Sequence, residues 1–73
     1  MSDEKTLGES RVRTSFNPSD DSKVQHIKER AAEFINYVDQ NVQTPNGEIA
    51  RLKALALTSI EEAAMWAVKA ATA

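Results

Sequence analysis

Phe16 stands in a polar linker, RVRTSFNPSDDS, with Arg11 and Arg13 before it and Lys23, Lys28 and Arg30 after it. An aromatic face, an Asn-Pro-Ser turn and a set of cations at one helix entrance are the parts of a nucleotide site. The ring can stack a base, backbone N–H groups at the helix start can meet a phosphate, and a lysine or arginine can neutralise it. The same residues also fit a plainer account. In that account the charges solubilise the chain and Phe16 anchors the linker on a neighbouring helix.

Other chemistries find less support. No nucleophile elbow, phosphate-binding glycine loop or metal-ligand cluster is present, and the whole chain holds two glycines and no cysteine. Glu61 and Glu62 are neighbours on a predicted helix and point in different directions, which is poor geometry for a shared acid–base task. His26 is the only histidine, so it can neither build a zinc site alone nor find a base and an orienting partner for catalysis. The expectation is a binding protein with no cofactor and no catalytic residue. A helix-turn-helix DNA binder is also disfavoured, because the helices are too long and neither is a basic recognition helix.

Two long helices must position the linker. Val24, Ile27, Ala31, Phe34, Ile35, Val38 and Val42 recur at helical spacing on one face, with Lys28, Glu29, Arg30, Glu33, Asp39 and Gln40 off its centre. This predicts a helix over about 20–43, capped by Ser19 or by Ser22 with Gln25. Thr44, Pro45, Asn46 and Gly47 form a short connection in which Thr44 or Asn46 can cap the next helix. That second helix, about 46–71, carries a stripe of Ile49, Leu52, Leu55, Ala56, Ile60, Ala63, Ala64, Ala67 and Ala70. Leu57, Met65, Trp66 and Val68 lie off the stripe, so the helix is apolar over more of its circumference than one neighbour can cover. Helices joined this closely run antiparallel. The fold class is therefore all-α: an N-terminal tail and linker over 1–18, with room for a short helix near 9–14, and a helical hairpin over 19–73.

Size and charge narrow the partners. At 73 residues, a lone core supplies only roughly 3–5 kcal/mol, and small domains commonly add disulfides, metal or oligomerisation. Without cysteine, self-assembly is the remaining route, with the alanines of the second helix permitting close approach and Trp66 plugging a larger gap. Nine Lys and Arg against eleven Asp and Glu leave a formal charge of −2, which offers no global attraction to DNA or to an anionic membrane. The acidic start MSDEKTLGES lacks the apolar core of a signal peptide, and no run is long enough to span a bilayer. The expectation is a soluble intracellular protein.

FNPS at Phe16–Ser19, V-x-x-I-K at Val24–Lys28 and the block ALTSIEEAAMWAVKA ending at Ala70 together resemble the small bacteriophage anti-CBASS proteins of the helical-hairpin type. The likeness runs from the linker onward, and the last block is its specific part. It implies a homo-oligomer, hexameric in that family, that binds cyclic dinucleotides between protomers and cyclic trinucleotides at separate positions. Such a protein works in the cytoplasm of the infected bacterial host and withholds the messenger from its effector without cutting it. By the resemblance, Phe16 would stack a base, Lys28 would meet a phosphate and Asn17 would hydrogen-bond the ligand. Arg51 and Thr58 would serve the trinucleotide pocket, and Met65 and Trp66 the assembly core. The family often has tyrosine where Phe16 stands, so a phenolic hydrogen bond is missing while stacking survives. The competing expectation is an oligomeric helical adaptor with no nucleotide ligand.

Overall fold

The computed structural model describes residues 4–73, so the first three residues of the expected tail lie outside the described residues. Three helices follow in order: α1 (Leu7–Val12), α2 (Ser22–Asn41) and α3 (Gly47–Ala71). No described helix is long and apolar enough to cross a membrane.

Local chemistry sets each helix start. Thr6 and Glu9 form a capping box on α1: the Glu9 N–H donates to Thr6 Oγ1 at 3.1 Å and the Thr6 N–H to Glu9 Oε1 at 2.9 Å. This fixes α1 at Leu7–Val12, earlier than the expected 9–14. On α2 the cap is Asp21, whose carboxylate accepts from the Lys23 N–H at 2.7 Å. Neither expected cap operates, because Asp20 takes a left-handed φ of 54° that turns the chain just before the helix. Ser19 Oγ instead donates to Asn17 Oδ1 at 2.9 Å. On α3 the cap is Asn46, which accepts from the Ile49 N–H at 2.9 Å. Lys53 then reaches across to the end of α2 and donates to the carbonyls of Asp39 and Val42, both at 2.9 Å. That pins the hairpin antiparallel, with the start of α3 beside the end of α2.

The core is small and uses all three helices: Val12 from α1, Ala32 and Ile35 from α2, and Leu57 and Ala64 from α3, flanked by Ala31, Val38 and Ile60. Ile35 alone is completely enclosed. The phase of α3 differs from the expected stripe. Leu57, read as lying off it, is buried, whereas Leu52 and Leu55, read as on it, are about half exposed. Phe34 and Val42 of α2 are likewise exposed. The row facing α2 runs through Lys53, Leu57, Ile60 and Ala64, the phase set by Lys53 hooking the end of α2.

α1 lies on one side of this pair. Gly8 N–H donates to Asn36 Oδ1 at 2.7 Å on α2, and Arg11 Nε pairs with Glu61 Oε1 at 2.9 Å on α3. Ala32 and Asn36 flank Ile35 on that side, as Thr58 and Glu61 flank Leu57. On the opposite side lie Ile27 and Phe34 of α2 with Leu52, Ala56, Ala63 and Ala70 of α3. This second side has no cover among the described residues. Trp66 sits on the back of α3, more than half exposed, with Nε1 donating to Glu62 Oε2 at 3.3 Å.

Candidate functional site

Phe16 and Lys28 come together at the entrance to α2. The Lys28 ammonium lies 5.2 Å from the centroid of the Phe16 ring, within cation–π range. It also donates to the carbonyl oxygens of Arg13, at 3.1 Å, and of Phe16. Phe16 is 59 % exposed, so its outer face is open to a planar ligand. It borders a shallow depression of about 370 Å³ that Lys5 and Arg13 also line, with Glu9 the single carboxylate among them.

Arg13 is one of the linker cations marked in the sequence, and its place depends on backbone geometry. It ends α1 in the left-handed conformation, φ 57°, which aims its carbonyl at Lys28 and leaves its side chain beside the same ammonium. Burial pushes the Lys28 ammonium below the usual lysine range, and the neighbouring Arg13 guanidinium adds to the shift. Behind the turn, a groove of about 400 Å³ runs between α1 and the end of α3, lined by Arg11, Arg13, Lys28 and Lys69 with Met65 and Val68. Lys69 is 41 positions from Lys28 in sequence, and only the antiparallel hairpin brings them to one end. Met65, expected in the assembly core, forms part of this wall.

The other expected ligand residues are placed differently. Asn17 is engaged in building the turn: its Nδ2 donates to the Asp21 carbonyl at 3.1 Å and to Gln25 Oε1 at 3.4 Å, and its Oδ1 accepts from Ser19. Thr58 Oγ1 accepts from Arg11 Nη2 at 3.3 Å, tying α3 to α1. Arg51 is held by Glu48 through two hydrogen bonds of 3.1 and 2.8 Å near the start of α3. That is the far end of the hairpin from Lys28, roughly 20 Å away along the helix axis at 1.5 Å per residue. The structure therefore gathers Phe16 and Lys28, puts Asn17 beneath them, and leaves Arg51 apart.

A larger concavity, about 880 Å³, lies on the other edge of α2 and carries the carboxylates of Glu9, Asp20, Asp21, Glu29 and Glu33. It would repel a phosphate, so charge selects the Phe16 end as the anion-facing one. His26 lines this acidic groove. No group of three or more His, Cys, Asp or Glu side chains that could hold a metal occurs among the described residues. What the Phe16 end offers chemically is one stacking face, a partly desolvated ammonium and further cations at one exposed end of the hairpin.

A hairpin of two long helices is the architecture implied by the resemblance. The Acb2/Tad1 hairpin-domain profile matches residues 8–72, and the chain belongs to that family, the anti-CBASS sponge family. Members of this family bind and sequester, as anti-defence proteins, and are not enzymes. No curated protein and no solved structure matches the chain.

Proposed function

We propose that this protein is a phage anti-defence sponge. It binds cyclic dinucleotides, and also cyclic trinucleotides, in the cytoplasm of the infected host and withholds them from the CBASS effector without cleaving them. The observation that carries this reading is the exposed Phe16 ring held over the Lys28 ammonium, at the positions where the family places its stacking aromatic and its phosphate cation. A cyclic dinucleotide has two bases and two phosphates. One Phe16–Lys28 pair supplies half of what such a ligand needs, and a second copy of the chain supplies the other half by two-fold symmetry. The apolar side formed by Ile27, Phe34, Leu52, Ala56 and Ala63 gives that copy a surface to pack on, and the hexamer of the family is the assembly proposed here.

Phosphodiester cleavage would require an activated nucleophile or a positioned base. Glu61, the carboxylate in the cationic groove, is already paired with Arg11. Holding rather than cutting is the chemistry these groups support. Sequestration then acts by mass action: the sponge must be more abundant than the messenger and bind it more tightly than the effector does.

A thermal-shift panel of cyclic di- and trinucleotides tests the reading. A ligand that binds only the folded protein adds about 2.7 kcal/mol at 100-fold excess over its Kd, so a rise of several degrees is expected with at least one dinucleotide. No shift with any of them would favour the adaptor, for which the uncovered apolar side would be the docking surface.

A further inference from the structure

The turn that carries Phe16 has little packing to hold it, since Arg13, Ser15 and Phe16 are all exposed. Its internal fastening is one backbone bond, the Phe16 N–H to the Arg13 carbonyl at 2.9 Å. The Thr14 N–H also donates to the Glu9 carbonyl at 3.2 Å, and the restraint from α2 comes from two side chains one helical turn apart. Lys28 donates to the carbonyls of Arg13 and Phe16, and Gln25 Nε2 donates to the carbonyl of Thr14 at 3.1 Å. Gln25 Oε1 meanwhile accepts from Asn17 Nδ2. Three of the four carbonyls from Arg13 to Phe16 are thus held from α2.

We propose that Gln25 and Lys28 form a clamp that presents the Phe16 ring to the ligand, with Gln25 a positioning residue that never touches the nucleotide. The inference rests on the sponge reading for its ligand but on the turn geometry for the clamp. An ammonium has three N–H donors. Two meet carbonyls, and the third is left for a phosphate, so Lys28 holds the turn and meets the ligand together. Gln25 carries no charge and acts only by ordering the turn. A ring already fixed in place loses less freedom on stacking, which appears as affinity.

Gln25→Met keeps the length of the side chain and a good helix former while removing both hydrogen bonds to the turn, along with the one to Glu29 on its own helix. In the free protein, amide exchange at Phe16 is expected to rise about tenfold in Gln25→Met and in Lys28→Met, with exchange at Ile35 and Leu57 unchanged. Cyclic dinucleotide affinity should fall roughly five- to tenfold in Gln25→Met and by more in Lys28→Met. The pH profile separates the two roles. An anion prefers the protonated amine, so wild-type affinity should fall as pH rises through the Lys28 pKa, which lies below the ordinary 10.5. Gln25→Met should keep that alkaline fall and Lys28→Met should lose it. Wild-type exchange at Phe16 in Gln25→Met would overturn the clamp, and so would raised exchange with undiminished affinity. A wild-type protein that binds no cyclic nucleotide sinks the sponge reading instead, and exchange in the free protein still decides the clamp.

Discussion

Replacing Gly8 by alanine is expected to undock α1 and to destabilise the protein by about 3 kcal/mol, close to the whole margin of a chain this small. The reason is space. A Cβ at Gly8 would strike the Ala32 carbonyl oxygen and lie 2.7 Å from that residue's Cα and carbonyl carbon. These are backbone atoms in the middle of α2, so no side chain can swing aside, and the short helix must move instead. With it goes the burial of Val12, about 1.5 kcal/mol or more, and the Gly8–Asn36 hydrogen bond, about 1 kcal/mol. The Arg11–Glu61 pair is partly exposed and adds at most about 1 kcal/mol. Urea unfolding reads the change as a lower midpoint. An unchanged midpoint would mean that α1 does not pack on Ala32 in solution.

Ala63→Glu should disperse the proposed assembly while leaving the single chain folded. Ala63 is exposed within the chain and lies outside the core of Val12, Ala32, Ile35, Leu57 and Ala64, so a carboxylate there meets water in an isolated protomer. Between two protomers the same carboxylate would be buried without a partner, at roughly 3–5 kcal/mol for each interface. Sedimentation should shift to a single chain while far-UV dichroism stays helical. Because the ligand pocket is proposed to need two copies, cyclic dinucleotide affinity should drop by about 100-fold or more. An assembly of wild-type size carrying Ala63→Glu would remove this side of the hairpin from the interface.

The hairpin was plain in the sequence because Val24, Ile35 and Val38 mark one helical face and the Pro45–Gly47 connection is too short for anything but an antiparallel return. The phase of α3 was not plain. A helix apolar nearly all round contains several plausible stripes, and what selects Leu57 over Leu52 and Leu55 is the reach of Lys53 to the end of α2, a contact between distant positions. The docking of α1 was hidden for a related reason: its signal is a missing side chain at Gly8, which in sequence reads as flexibility. At the site, the residue types of Phe16 and Lys28 advertised their chemistry and the fold brings them together. Arg13 depends on a left-handed residue at a helix end, and Lys69 on the hairpin closing, neither of which leaves a local pattern. Asn17 looked like a ligand donor, and its donors are spent on Asp21 and Gln25 in the turn that supports the ring.

A sponge must hold the nucleotide intact and give it back. Calorimetric titration of a cyclic dinucleotide into wild-type protein, followed by heating and chromatography of the released ligand, measures both. Saturable binding is predicted, at about one ligand for each pair of chains if two copies share a site by two-fold symmetry, with all of the nucleotide recovered still cyclic. Absence of binding heat across the cyclic dinucleotides, or recovery of a linear product, would contradict it.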